Sequence, residues 1–145
     1  MRMIAHELFH VLQYELVGPR ARNCCEPNNR IPVVGPIWLM EGSAQYVMFR
    51  FEHYATGASV TGAINWASTE RWNLKGTLAD LETRDQMNQH SQGYGAGMSA
   101  VYRLTQKGGL SSLADFWRAI GKGESWEKAL ESAFGWTKEL AYRRL

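Results

Sequence analysis

The chain has 145 residues, of which 45% are hydrophobic and 12% aromatic, so it carries enough apolar side chains for a buried core and is not a disordered segment. Sixteen Lys and Arg residues oppose fourteen Asp and Glu residues, and this near balance argues against nucleic acid as a partner. The uncharged stretches over residues 31–40 and 55–69 are too short or too polar to cross a bilayer, so we expect no transmembrane segment.

The elements predicted in chain order are almost all helices. Ile4, Leu8, Val11 and Leu12 recur at helical spacing before a Gly18-Pro19 stop, and they predict a first helix over residues 2–17. Four prolines then favour a long loop over residues 18–36. Apolar periodicity and glycine stops predict further helices over residues 37–54, 59–72, 93–107, 112–120, 126–134 and 137–145. Strand patterns are nearly absent, so the predicted fold class is mainly α.

Two local features refine this organisation. Ser112 and Asp115 have the spacing of a capping box at the start of the helix that reaches residue 120. The histidine-bearing helix begins almost at Met1, with no room for a signal peptide or a preceding strand. We therefore interpret residues 1–145 as one helical domain and leave open whether an N-terminal portion is missing. Adjacent Cys24 and Cys25 do not suit an ordinary disulfide and are interpreted as loop thiols.

The segment His6-Glu7-Leu8-Phe9-His10 carries the clearest chemical signal. Residues four apart lie on one side of a helix, so the two imidazoles can share a metal ion, and zinc suits imidazole nitrogen ligands. Glu7 lies near that ion without binding it, where a general base is needed, among apolar neighbours that make an unpartnered carboxylate costly. A chain of this composition contains such a motif by chance in about one case in 120.

A third ligand has to come from elsewhere, because Gln13 and Leu16 replace the glycine and histidine of the extended metzincin motif. Glu41, in Trp38-Leu39-Met40-Glu41-Gly42, is the preferred candidate because a predicted helix holds it. Glu26 is the alternative, although it precedes a proline in the predicted loop.

Together, His6-Glu7-Leu8-Phe9-His10 and Trp38-Leu39-Met40-Glu41-Gly42 resemble the gluzincin metallopeptidases, in particular the aminopeptidase N-like, glycyl-aminopeptidase-like and MA-like groups. The resemblance implies that His6, His10 and Glu41 hold one zinc ion per chain and that Glu7 is the base. It extends to Gly93-Tyr94-Gly95-Ala96-Gly97, where the family places a tyrosine that stabilises the transition state. Tyr94 matches that position, with Tyr102 as the alternative.

The likeness covers nearly the whole chain and implies the helical catalytic lobe of a gluzincin, similar to the C-terminal half of thermolysin. It departs from the family in the thirty residues between His10 and Glu41 and in the absence of an upstream β-sheet lobe. Its implied activity is zinc-dependent hydrolysis of a peptide or protein substrate. The resemblance points weakly to secreted or membrane-associated bacterial relatives, and it leaves the oligomeric state and the choice between exopeptidase and endopeptidase open.

Two other functional classes remain as alternatives. One is a catalytically inactive helical zinc-binding or interaction module that retains the ligands, and the other is a helical bundle without metal. Among the remaining polar residues, Gln45 is a weaker candidate for orienting a ligand imidazole, whereas His53 and His90 are interpreted as surface residues.

Overall fold

The computed structural model describes residues 2–23, 28 and 30–145, and this part of the chain is all-helical, with 77% of residues in helices and no strand. The α-helices are α1 (Arg2–Val17), α2 (Ile37–Thr56), α3 (Val60–Asn73), α4 (Arg84–Gln89), α5 (Gly93–Gly108), α6 (Ser112–Gly121), α7 (Trp126–Phe134) and α8 (Lys138–Arg144). Short 3₁₀ turns cover Gly18–Asn23 and Leu78–Leu81. The mainly α prediction is thus confirmed, and the predicted helices all form with small shifts at their ends.

The core lies where α2 and α5 cross, with α3 packed on α5, α1 on α2 and α6, and α7 on α6. Trp38, Trp117 and Phe116 are the largest side chains in it, and each is fully buried. Trp117 of α6 and Trp126 of α7 both lie in this core. Gly57, with φ of 73°, ends α2 as predicted, because a left-handed residue suits glycine.

The predicted capping box of α6 is wrong. Ser111 is the residue before the helix and makes no side-chain cap, while Ser112 is already helical. The Ser112 hydroxyl instead donates to the carbonyl of Gly108 at 2.5 Å, because the tight turn after α5 brings that carbonyl beside it. Asp115 pairs with Arg118 at 3.0 Å.

Helix α1 presents its predicted apolar stripe to solvent. Ile4 and Leu8 are 64% and 62% exposed, and Val11 and Leu12 are also exposed. The face turned inward carries Phe9, Gln13 and Val17 together with half-buried His6 and His10. Shallow apolar grooves of about 290 and 430 Å³ run along the outer side, between α1 and the end of α2. Among the described helices, none combines the length and the apolar content that a membrane crossing requires.

Candidate metal centre

The two histidines of α1 contact each other on the inner face of the helix, with their rings nearly perpendicular. They lie one turn apart, their ring centroids are 4.8 Å apart, and their Nε2 atoms are separated by 3.1 Å. Two imidazole nitrogens at this distance leave space for one ion between them. The four-residue spacing in the sequence therefore produces the arrangement predicted from helix geometry.

Glu41 of α2 completes a triangle with these two nitrogens. Its Oε2 lies 3.3 Å from Nε2 of His6 and 3.4 Å from Nε2 of His10. A tetrahedral ion with ligands at about 2.0–2.1 Å separates its ligand atoms by about 3.3–3.4 Å, so the two edges to Glu41 match that geometry and the 3.1 Å edge between the imidazoles is about 0.2 Å shorter. His6, His10 and Glu41 thus lie close enough to bind a metal ion.

The electrostatics of the cluster keep Glu41 ionised. Burial opposes ionisation of Glu41, but hydrogen bonds from His10 and His6 and the charge of Arg84 outweigh it and hold the pKa of this carboxyl far below its usual range. Burial likewise opposes protonation of His10, yet the hydrogen bonds with Glu41 and Gln13 raise its pKa. A buried carboxylate, with only 6% of its side chain exposed, therefore faces two imidazoles.

Gln13 fixes the tautomer of His10. Its amide Nε2 donates to the carbonyl of Met40 at 3.1 Å, so its Oε1 is the atom that faces His10 Nδ1, at 2.7 Å. Nδ1 must then carry a proton, so in the neutral imidazole the lone pair lies on Nε2 and points into the triangle. Sequence reasoning noted Gln13 only as a departure from another motif and considered Gln45 for this kind of role; Gln45 instead lines the neighbouring cleft.

Arg84 is a member of the site that sequence reasoning missed. Its Nη1 lies 2.8 Å from Oε1 of Glu41, so one carboxylate oxygen faces the guanidinium and the other faces the imidazoles. Arg84 is the first residue of α4, whose start is fixed by a capping box between Thr83 and Gln86. The Thr-x-x-Gln spacing was a visible signal for this helix, although nothing in it indicates Glu41 as the partner.

Gly42 of α2 and Gly97 of α5 allow the backbones of the two helices to contact each other next to Glu41. A Cβ on Gly42 would lie 2.4 Å from both the carbonyl carbon and the oxygen of Gly97, and a Cβ on Gly97 would lie 2.6 Å from the carbonyl oxygen of Trp38. Only residues without side chains permit backbones to approach this closely. The contact fixes Glu41 on one helix relative to the beginning of the other, which carries Tyr94.

A cleft of about 720 Å³ opens beside the triangle of His6, His10 and Glu41, which we call the metal triangle. His6 and the exposed Glu7 line it, and so does the half-exposed Tyr94, 40% of whose surface is accessible. The expectation that Glu7 is enclosed by apolar residues is wrong, because those neighbours face outward with it. Burial and the charge of Glu41 raise the pKa of Tyr94, so its hydroxyl keeps its proton at neutral pH. Tyr102 instead packs beside Tyr46, with ring centroids 6.1 Å apart.

The remaining residues considered from the sequence do not join this cluster. His53 is exposed and its Nδ1 lies 2.7 Å from the carbonyl of Ala58, and half-buried His90 closes α4. Cys24, Cys25 and Glu26, the alternative third ligand, lie outside the described residues.

Searches for matching protein families, curated proteins and solved structures find none for this chain. The function of the chain is therefore inferred from the geometry of the site itself.

Proposed function

We propose that this chain is a zinc-dependent peptidase of the gluzincin type, corresponding to the helical catalytic lobe of that family. The observation that carries the proposal is the triangle of His6, His10 and Glu41, whose ligand atoms lie close enough to share one metal ion, with Glu7 and Tyr94 lining the cleft that opens beside it. Two histidines and a glutamate are a common ligand set of catalytic zinc, which keeps a position open for water or substrate.

His6, His10 and Glu41 would hold the zinc ion. When bound, zinc supplies a Lewis acid that polarises the peptide carbonyl and makes water acidic enough to lose a proton near neutral pH. Gln13 and Arg84 keep the ligand side chains in position before the ion arrives, Gln13 through the His10 tautomer and Arg84 through one carboxylate oxygen.

Glu7 and Tyr94 would move and stabilise charge in the hydrolysis. The Glu7 carboxylate accepts a proton from the attacking water, whose oxygen forms a bond to the carbonyl carbon. The same carboxyl then gives the proton to the amide nitrogen as the C–N bond breaks, releasing an acid and an amine. The protonated hydroxyl of Tyr94 donates a hydrogen bond to the oxyanion that develops between these two steps.

The test is a matched pair of substitutions on α1. Glu7→Gln removes the base and leaves the three ligands, so we expect it to bind zinc like the parent and to lose hydrolysis of a mixture of blocked peptides. Glu15→Gln removes a carboxylate from an exposed position of the same helix and should keep both properties. Peptide cleavage by Glu7→Gln at the parental rate would refute the role of Glu7.

A non-catalytic metal-binding module is the second candidate. It is favoured by the absence, within residues 2–23, 28 and 30–145, of any strand that could pair with an extended peptide. This alternative predicts zinc bound at about one ion per chain with no chelator-sensitive cleavage of any peptide in the mixture.

A further inference from the structure

The cleft beside the metal triangle has a distinctly apolar wall away from Glu7. The wall comes from Met48 and Phe49 of α2 and from Gly62, Ala63 and Trp66 of α3. The rings of Phe49 and Trp66 have centroids 6.1 Å apart and are tilted by 53°, and 39% of the Trp66 surface is accessible. An aromatic wall of this kind offers both area and edge-to-face contacts to an apolar side chain.

The positive charge of Arg2 in the cleft already has partners. Arg2 is the one Lys or Arg residue among the described lining residues, and its Nε lies 2.6 Å from Oε1 of Glu52. Its guanidinium also lies 5.5 Å from the centroid of the Phe49 ring. The one fixed cation is thus already paired with an anion and with an aromatic ring, so the cleft has no unpaired Lys or Arg within its described lining to recognise an acidic side chain.

Gly62 makes room in the same wall. A Cβ placed on it meets no atom within 4 Å, although the residue lies on a helix that faces the cleft. The missing side chain leaves space beside Ala63 and Trp66. A cleft of about 720 Å³ also falls in the range of about 300–1,000 Å³ that is usual for ligand sites, enough for a short peptide with one large side chain.

We propose that this cleft selects peptides with a large apolar side chain, aromatic residues first, next to the scissile bond, with Met48, Phe49 and Trp66 contacting that side chain and Gly62 making room for it. The inference rests on the proposed peptidase function for the position of the scissile bond. Binding of the side chain itself depends only on the wall of the cleft.

The first experiment measures specificity. The zinc-loaded protein is given blocked peptides that differ at one position, and the cleavage products show which residues flank the broken bond. We expect kcat/KM for phenylalanine peptides to exceed that for alanine peptides by at least about tenfold. In Gly62→Leu the added side chain fills the space, so the ratio of kcat/KM for phenylalanine peptides to kcat/KM for alanine peptides should fall about tenfold. Ser68→Leu, at an exposed α3 position that does not line the cleft, should keep the parental ratio.

The second experiment measures binding without turnover. N-acetyl-phenylalaninamide is titrated into zinc-loaded Glu7→Gln protein while the indole N–H resonance of Trp66, identified by its loss in Trp66→Phe, is followed by NMR. We expect this resonance to shift with the phenylalanine compound at concentrations where N-acetyl-alaninamide has no effect, and to shift much less after Gly62→Leu.

The two experiments separate the failure of each idea. Cleavage without preference for large apolar residues, or a ratio unchanged by Gly62→Leu, would overturn the specificity proposal and leave the peptidase function standing. Selective binding of the phenylalanine compound without any cleavage would support the cleft proposal and overturn the peptidase function. Neither binding nor cleavage would overturn both.

Discussion

Replacing Gly42 by alanine tests whether the backbone contact between α2 and α5 determines the geometry of the metal site. The new Cβ would lie 2.4 Å from the carbonyl carbon and oxygen of Gly97 and 2.9 Å from the amide nitrogen of Met98. Ordinary contact begins at 3.4 Å, so the closest approaches fall short by about 1 Å. All three neighbouring atoms belong to the backbone, and no side-chain rotation can relieve the overlap. The helices themselves have to separate.

The size of the effect follows from two opposing contributions to the free energy of unfolding. Overpacking in a core costs about 1–3 kcal/mol, and a clash against immobile backbone belongs at the upper end of that range. The higher helix propensity of alanine returns about 1 kcal/mol. We expect the variant to lose about 2 kcal/mol of stability, or about 6 °C in Tm for a chain of this length. Zinc affinity should fall about tenfold, because Glu41 moves relative to the imidazoles.

The assay is urea unfolding of the metal-free protein, followed by zinc titration against a competing chelator. Gly62→Ala is the matched control, since it makes the same exchange within α3, where the added Cβ meets nothing within 4 Å. This control should gain about 0.5–1 kcal/mol from helix propensity alone. Unfolding of Gly42→Ala at the parental urea concentration, together with parental zinc affinity, would refute the reasoning.

Three further predictions address residues that support the site or the fold around it. Arg84→Met should lower the free energy of unfolding of the metal-free protein by about 1–2 kcal/mol, because buried Glu41 loses its cationic partner. Excess zinc should restore part of this stability, and an equal loss in Tm with and without zinc would contradict the prediction. Gln13→Leu should lower zinc affinity about 10–100-fold in a chelator competition by releasing the His10 tautomer, while Gln13→Glu, which keeps an acceptor, should lose less. Hydrogen bonds from the backbone and hydroxyl of Thr77 lower the pKa of Asp80 in the folded protein. The cap therefore stabilises the fold fully when the pH is above the ordinary pKa of an aspartate, and this stabilisation is lost as the pH falls through the lowered pKa of Asp80. The difference in Tm between the parent and Asp80→Asn should therefore shrink from about pH 5 to about pH 3, and a constant difference would exclude this contribution.

The sequence was sufficient to locate the three residues that lie close enough to bind a metal ion, because their signals are local. The positions of His6 and His10 one turn apart follow from helix geometry. Glu41 could be predicted because a helix start and a glycine lie next to it in the sequence. Periodicity also predicted every α-helix of the described residues except α4, since each of the others has its own apolar repeat and stop signal. These features depend on residues within one or two turns of each other.

The supporting residues could not be located in the same way because their roles depend on tertiary contacts. Arg84 reaches Glu41 from a helix more than forty positions away, and Gln13 depends on the carbonyl of Met40 across a helix interface. The orientation of α1 could not be predicted either, because this helix carries apolar residues around most of its circumference. In the structure its apolar stripe faces solvent, and the face with Phe9 and the histidines turns inward. Periodicity identifies a stripe but does not say which neighbour covers it.

The last helix is tied to the beginning of α2 by a chain of hydrogen bonds. The indole N–H of Trp38 donates to the Tyr142 hydroxyl at 2.9 Å, this hydroxyl donates to Glu82 Oε1 at 2.6 Å, and the Glu82 carbonyl accepts the amide of Ile37 at 2.9 Å. Trp38 and Tyr142 are separated by 104 positions, and closing so long a loop costs chain entropy, so we expect this docking to come late in folding. Ion capture would then be a late event, and the rate at which a refolding chain gains zinc would report the docking of its final helix rather than the formation of α1.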